Sequence, residues 1–323
     1  MPKIYVFTQA YNAEATIGRA IESILAQTHR DLRHYVLDSN SEDSTYEMIT
    51  HYARRDHRVV ALQNGFNRLT AYMDKIPYLI AQAEEDESDV AGFIMLDADD
   101  TYRPDALEQL LAFMNKHKLD MAAGGFNKIC AETGEEHSDV SDEDENQIHY
   151  RDGYVWHFPA YYLKINRGCG KLISLKALMK CDFSKVRTLF HCADTAFIFE
   201  VIKHTDSFGI LAQALYNYYE HPQTLSKQFN ARRMTDGRDA FDMGYSFLSS
   251  FGEVNDWNRN YLLRTYFNMI WVSVYLMNTS QCCDSQKQKY LKQIFDDPLT
   301  EEAFMLPEIT EQDKFDFVKA MFD

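Results

Sequence analysis

Three acidic side chains in four positions, Asp97-Ala98-Asp99-Asp100, close the apolar run Phe93-Ile94-Met95-Leu96. Like charges this close repel unless a cation or a strong set of donors lies between them. Oxygens from two alternate carboxylates suit a hard divalent ion, Mg2+ or Mn2+, that also bridges phosphates. A plainer role is open to the same residues, since Asp99 or Asp100 could cap a helix starting near Pro104. A second acid, Asp38, ends the short apolar run from His34 to Leu37 and precedes the polar turn Ser39-Asn40-Ser41-Glu42-Asp43-Ser44. A third, Asp194, precedes the apolar positions Phe197, Ile198, Val201 and Ile202.

The elements that must position these acids follow from periodicity. Ile4 to Thr8, His34 to Leu37, Val59 to Leu62, Gly92 to Leu96 and Met121 to Gly125 read as short strands. Between the first two, Ile17, Ala20, Ile21, Ile24 and Leu25 mark one helical face, with Asn12 as its expected N-cap. Tyr46, Ile49, Tyr52 and Ala53 mark a second helix. A third is expected over about 69–85, started or kinked by Pro77. A fourth has Pro104 at its first position and Leu107, Leu110, Leu111 and Met114 inside. This alternation predicts an α/β fold: an open, mostly parallel sheet with helices on both faces. Ligands of such sheets bind beyond the carboxyl ends of the strands, where Asp38 and Asp97 both fall. Residues 131–147 hold eight acids and no Lys or Arg, which predicts a solvated, mobile loop. Residues 193–203 read as helix, 209–219 as extended chain, and the sequence after Asn230 as helical to the end. There the stripe Leu263, Tyr266, Phe267, Ile270, Trp271, Val274 and Tyr275 is expected to be core.

Composition narrows the function classes. The 323 residues carry 33 basic and 49 acidic side chains, a net charge of −16. A nucleic-acid footprint needs a basic stripe, so no nucleic-acid partner is expected. Peripheral attachment to a membrane is disfavoured by the charge but left open. No apolar run approaches the ~20 residues of a transmembrane span. The six cysteines form no C-x-x-C pair and suit reduced, buried thiols in a cytoplasmic protein.

In order and spacing, several segments over roughly residues 3–226 resemble the family 2 glycosyltransferases of the GT-A fold. Ile4-Tyr5-Val6-Phe7-Thr8-Gln9-Ala10-Tyr11-Asn12 is similar to that family's opening strand, and Ser23-Ile24-Leu25-Ala26-Gln27-Thr28 to the end of its first helix. Asp38-Ser39-Asn40-Ser41-Glu42-Asp43-Ser44-Thr45 stands where the family has Asp-Asp-Gly-Ser-x-Asp-x-Thr. Phe93 to Asp100, followed by Pro104-Asp105, resembles its D-x-D segment. Gly170-Lys171-Leu172, His191-Cys192-Ala193-Asp194 and Tyr218-Tyr219-Glu220-His221-Pro222-Gln223-Thr224-Leu225-Ser226 resemble later motifs. Four departures stand out: Gln9 for a Pro, Ser39-Asn40 for Asp-Gly, Tyr72-Met73 for an Arg-Asn pair after Ala71, and Ala193 for a Glu.

The resemblance implies an inverting glycosyltransferase with a nucleotide-diphospho-sugar donor, UDP first, and a divalent metal, Mn2+ or Mg2+. Its acceptor would be a glycan or a lipid-linked one, in cell-surface glycan synthesis. The same resemblance implies that Ala10, Tyr11 and Asn12 border the base and that Asp38 hydrogen-bonds it. Asp97 and Ala98 would lie by the ribose, Asp97 and Asp99 would hold the metal, and Asp194 would be the general base. Arg68 is the expected substitute for the missing diphosphate-binding Arg, while Asp100, Lys171 and His221 are expected as supporting groups. Other acids in the same half, Asp152, Asp182, Glu200 and Asp206, compete with Asp194 for the base role. The implied organisation is a GT-A unit over 1–228, with a nucleotide-sugar half to about 125 and an acceptor half over 126–228. A helical region over 229–323 follows. Two other readings compete: a non-catalytic nucleotide-sugar binder of the same fold, and a sugar-phosphate nucleotidyltransferase. The latter needs a Gly-rich phosphate loop that residues 8–19, with Gly18 alone, do not supply.

Overall fold

Side-chain alternation in the first strand, β1 (Lys3–Ala10), sets the layers. Ile4 and Val6 point to one face of the sheet, and Tyr5 and Phe7 to the other. The computed structural model describes residues 2–68, 70–86, 89–141, 144–189, 192–221 and 227–321. The further strands are β2 (Leu32–Asp38), β3 (Val59–Gln63), β4 (Val90–Met95), β5 (Thr101–Tyr102), β6 (Met121–Cys130), β7 (Glu136–Ser138), β8 (Gln147–Tyr150), β9 (Lys171–Ser174) and β10 (Ser207–Glu220). The helices are α1 (Ile17–Leu25), α2 (Thr45–Arg55), α3 (Ile76–Glu85), α4 (Ala106–His117), α5 (Phe158–Ile165), α6 (Leu175–Leu178), α7 (Ala193–Lys203), α8 (Arg233–Ser249), α9 (Asp256–Asn278), α10 (Asp284–Phe295), α11 (Pro298–Phe304) and α12 (Glu311–Ala320).

The strands form one sheet in the order β3-β2-β1-β4-β9-β6-β10-β5, with β7 beside β6 and β8 beside β10. The pairs β3/β2, β2/β1, β1/β4 and β6/β10 are parallel. The sheet is therefore mostly parallel, as the alternation predicts, with β9 inserted antiparallel to both β4 and β6. That insertion was not legible, because Lys171–Ser174 is four residues long and lies in a stretch of mixed pattern. Helices cover both faces. α1, α2 and α4 pack on the Ile4/Val6 side, and α3 and α5–α12 share one apolar cluster with Tyr5 and Phe7. The C-terminal helices thus bury their inner faces in the same core as the sheet. Among the described residues no helix is long and apolar enough to cross a membrane.

Several local expectations are corrected. α1 starts at Ile17 with Thr16 in the N-cap position, not Asn12, because Asn12 takes a left-handed conformation (φ 47°) and turns its side chain elsewhere. Asp105 holds the N-cap position of α4, so Pro104 lies outside the helix. Pro77 starts α3, preceded by a 3-10 turn over Ala71–Lys75. The acidic stretch is no free loop. β7 pairs with β6, β8 pairs with β10, the Asp139 carboxylate accepts the Phe126 amide (2.6 Å), and Lys164 reaches Asp144 (3.2 Å). Partners from other elements supply the compensation that the local charge pattern lacks; Asp142 and Glu143 lie outside the described residues. In the α9 stripe Trp271 is half-buried and stacks on exposed Tyr275 (5.9 Å, 10°) rather than entering the core.

His34 makes the fold sensitive to acid. Its ring lies fully buried in β2, and Nε2 shares a hydrogen bond with the Thr8 hydroxyl (2.9 Å). Burial pushes its pKa down from 6.5 to about 3. The unfolded chain therefore takes up this proton first. The penalty is absent above about pH 6.5 and grows as pH falls toward the folded value. Unfolding by denaturant should lose about 1.4 kcal/mol per pH unit from this group below pH 6. His34→Gln, neutral throughout, should remove that part of the slope. An unaltered slope in the variant would assign the acid sensitivity elsewhere.

Candidate active site

Parallel pairing brings the carboxyl ends of the strands to one edge. Ala10 pairs with Asp38, Asp38 with Gln63, and Phe7 with Met95, two residues before Asp97. The loops after β1 and β2 are laced together above this edge. The Asn12 amide donates to the Ser41 hydroxyl (2.9 Å), and Asn12 Oδ1 accepts the Glu42 amide (2.9 Å). Thr45 Oγ1 accepts the Ala13 amide (2.7 Å), and Glu14 accepts the Ser44 amide (2.9 Å). Asn40 sits at φ 62°, the conformation a glycine would supply there, and short polar side chains tolerate it. Ala10 is buried beneath this junction with Ala98 packed beside it, and Tyr11 stands exposed at its rim. Asp38 lies at the end of β2. It is fully enclosed, receives the Ser41 amide (3.3 Å) and the Gln63 side chain (3.1 Å), and so caps its own turn with neither oxygen open to a ligand.

The D-x-D turn is tied to β10. The Tyr216 hydroxyl accepts the Asp97 amide (3.1 Å) and donates to Asp100 Oδ2 (2.8 Å), while the Tyr219 amide donates to Asp100 Oδ1 (2.8 Å). Asp100 is completely buried, so its supporting role is structural. From the other side Arg19 of α1 donates to the Asp99 carbonyl (2.6 Å) while its guanidinium lies 3.6 Å over the Tyr219 ring. Asp97 is open to solvent and Asp99 partly so. Protein surrounding Asp97, then the charges of Asp194 and Asp99, push its pKa upward; burial and then Asp97 and Asp99 do the same to Asp100. A cation beside Asp97 and Asp99 would relieve this mutual repulsion, so the pair fits a divalent ion. Among the described residues no three His, Cys, Asp or Glu side chains converge as a closed metal cluster. The fit is therefore to an ion whose remaining ligands come with a diphosphate or water.

Asp194 faces this turn from the first turn of α7, after the N-cap position of Cys192. It too is open to solvent at the floor of the crevice. Its protein surroundings push its pKa up, while Lys171, the Gly168 amide and Tyr72 pull it back. The helix start therefore does not by itself hold it in the usual carboxylate range, and the upward direction makes it a better proton acceptor near neutrality. Gly168 lies against this carboxylate: a Cβ there would lie 2.7 Å from the Met95 methyl, which would have to shift, and 3.4 Å from the Asp194 carboxyl. Lys171 is not a surface group. It is completely buried, donates to the Cys169 carbonyl (2.9 Å), and burial pushes its pKa down to about 8.

Arg68 forms an ion pair with Asp74, which also receives Arg187 (3.1 Å). Both guanidinium groups are thus engaged with one carboxylate beside the crevice. His221 follows the end of β10, partly buried. Leu69, His191 and the run Pro222-Gln223-Thr224-Leu225-Ser226 lie outside the described residues. Sequence reasoning missed Arg19, Tyr216 and Arg187, which act across separations of 80, 116 and 113 residues. It also missed Gln9. The side chain of that residue donates to the Arg68 carbonyl (2.7 Å) and accepts the Tyr72 amide (2.8 Å).

With the geometry in place, comparison with known proteins is informative. The model of glycosyl transferase family 2 matches residues 5–180, more than half of the chain. Putative glycosyltransferase EpsE of Bacillus subtilis is 32% identical over 38% of this chain and 42% of its own length. The UDP-Glc:alpha-D-GlcNAc-diphosphoundecaprenol beta-1,3-glucosyltransferase WfaP of Escherichia coli is 24% identical over 37% of this chain and 44% of its own. The chain thus spans less than half the length of these curated relatives. Among solved structures, S. aureus TarS 1-349 in complex with UDP-GlcNAc aligns with a TM-score of 0.55 and 14% identity, over 98% of this chain and 79% of its own. Mannosyltransferase PcManGT from Pyrobaculum calidifontis, in complex with GDP-Man and Mn2+, aligns with a TM-score of 0.50 and 11% identity, over 99% and 86%. At these identities the structures establish a common GT-A-like fold.

The Tyr216 hydroxyl is the single atom joining the Asp97 amide to Asp100. Tyr216→Phe should cost about 1–3 kcal/mol by leaving both groups without that partner. Chemical denaturation of the variant checks this, and unchanged stability would mean the turn is held by other contacts.

Proposed function

This chain belongs to glycosyl transferase family 2, and from that premise we propose that it is an inverting glycosyltransferase. In this reading it takes a sugar from a nucleoside-diphosphate donor, a UDP-sugar first, to a hydroxyl of a glycan or lipid-linked acceptor in cell-surface polysaccharide synthesis. The observation that supports the proposal is Asp194, solvent-open and close enough for its charge to act on Asp97, beside the D-x-D turn at the carboxyl ends of the parallel strands. The names of WfaP and of the TarS complex support a UDP-sugar, and WfaP supports a diphospholipid-linked acceptor.

Asp97 and Asp99 would hold Mn2+ or Mg2+, the ion present in the PcManGT complex being Mn2+. When bound, the ion offsets the negative charge of the diphosphate and of the leaving group. The base would lie over the junction of the Asn12 and Ser41 loops, bordered by Ala10, Tyr11 and Asn12, with Ala98 beneath. Asp38 would act there by holding the turn rather than by touching the base. Arg68 would reach the diphosphate by exchanging Asp74 for phosphate oxygens. On the opposite side Asp194 takes the proton of the acceptor hydroxyl. The acceptor oxygen then bonds to the anomeric carbon, the bond from that carbon to the diphosphate breaks, and its configuration inverts. Metal-bound carboxylates could not do this, because they lie on the leaving-group side with their lone pairs committed. Lys171 steadies the ionised form of Asp194 from below.

Two variants test these assignments. Asp99→Asn should abolish the dependence of UDP binding on Mn2+ together with most of the affinity, read by calorimetry with and without chelator; parent affinity that ignores chelator would remove the metal role. Asp194→Asn should keep its melting temperature and nucleotide affinity while sugar transfer falls by roughly 10²–10⁴-fold. Transfer within a few-fold of the parent would pass the base role to Asp182 or Glu200.

A further inference from the structure

At the amino ends of the parallel strands the local charge runs against the net charge of −16. The segments entering β1, β2 and β3 are joined there by backbone bonds, the Ile4 amide to the Asp31 carbonyl (3.0 Å) and the His34 amide to the Arg58 carbonyl (2.7 Å). Lys3, Arg30, Asp31, Arg33, His57 and Arg58 line a cleft of about 510 Å³ at this junction, and Asp31 is the single acid of that lining. Part of the positive charge serves the fold. Lys3 pairs with Asp86 (2.7 Å) and Arg58 with Asp56 (2.7 Å), while Arg30 and Arg58 donate to the Leu25 carbonyl at the end of α1 (2.9 and 3.4 Å). Arg33 and His57 are not used in this way. Both are exposed, Arg33 lies beside the Tyr35 hydroxyl, and among the described residues neither touches a carboxylate.

A cleft lined by one sign of charge concentrates counter-ions, and an anion placed in it relieves the repulsion among the cations. The planar guanidinium narrows the class of anion, because its parallel N–H donors match the oxygens of a phosphate group. Arg33 has its donors free of any carboxylate, and Arg30 keeps donors beyond the one given to Leu25. The concave form and the volume, which is in the range of small-molecule sites, suit a phosphorylated molecule better than a flat bilayer. The catalytic edge lies at the other end of the strands, roughly 25 Å away along the eight residues of β1. Its gathered acids repel an anion when no metal accompanies it. We propose that this cleft is an anion site separate from the catalytic edge, where Arg33, with Arg30 and His57 beside it, holds the phosphate group of a ligand.

Inorganic pyrophosphate is the probe, titrated by calorimetry into the full chain in a zwitterionic buffer freed of divalent metal. The parent should bind it, and added sodium chloride should weaken that binding by screening. Arg33→Gln should keep the parent's melting temperature and raise the pyrophosphate Kd about tenfold. His57→Gln should raise it by a smaller factor. If Arg33→Gln melts lower than the parent, His57→Gln decides, and its unchanged Kd would overturn the site. Vesicles distinguish the source of the phosphate. Sedimentation of the parent with phosphatidic acid vesicles but not with phosphatidylcholine vesicles, lost in Arg33→Gln, would support the site with a lipid headgroup as its ligand. Pyrophosphate binding without sedimentation would support it with a soluble phosphorylated molecule. Neither binding nor sedimentation by the parent, or binding that Arg33→Gln leaves unchanged, would overturn the proposal. So would metal-free binding that responds to Asp99→Asn and not to Arg33→Gln, since the anion would then lie at the catalytic edge.

Discussion

A buried carboxylate, Asp100, joins the two halves of this protein. Both of its oxygens are used by β10, one by the Tyr216 hydroxyl and one by the Tyr219 amide. The same Tyr216 oxygen holds the Asp97 amide, so a single strand fixes the backbone from Asp97 to Asp100. Through Asp100 the position of the D-x-D turn depends on a strand more than 110 residues later. β10 in turn pairs with β6 and β8, in the half of the sheet beyond β9. Burying a polar carboxyl group this way is tolerable because each of its oxygens has a hydrogen-bond partner.

The edge that results is acidic. Asp97, Asp99 and Asp194 gather there; burial pushes the pKa of both Asp97 and Asp194 up, and at Asp97 the charges of Asp194 and Asp99 add to it. The nearby cations are committed. Arg19 is engaged with the Asp99 carbonyl and the Tyr219 ring, Arg68 and Arg187 with Asp74, and Lys171 with the Cys169 carbonyl. The acids of this edge are thus not offset by these four cations, and Asp97 and Asp194 stay open to solvent.

What was legible in the sequence was whatever repeats locally. The first four parallel strands, helices α1 to α4 and α7, and the long β10 are written in side-chain periods of 2 and 3.6. The D-x-D turn and Asp194 were legible because unusual acids stood at the ends of such elements. β9 was not, being too short for a period to show. Asp100 was expected near the site but its part in the fold was hidden, because Tyr216 and Tyr219 reach it from far along the chain. Asn12 and Asp38 were read as groups facing a ligand or a helix end. Asn12 binds the neighbouring loop rather than capping α1, a role set by its left-handed backbone, and Asp38 is enclosed with its bonds to Ser41 and Gln63. The acidic stretch misled for a related reason, since its compensating partners come from Phe126 and Lys164 on other elements.

The departures from the family pattern make sense only as contacts. Asn40 replaces a glycine and still takes the left-handed conformation the turn requires, because its short polar side chain tolerates it. Gln9 replaces a proline at the end of β1 and uses the gained side-chain amide on both sides, toward Arg68 and Tyr72. Tyr72 replaces an arginine on the segment that Gln9 holds, so the loss of a fixed cation and the gain of a positioned amide occur in one turn. That same turn carries Asp74, which gathers Arg68 and Arg187. The positive charge on this turn is thus the Arg68 and Arg187 pair gathered on Asp74, not a side chain at position 72.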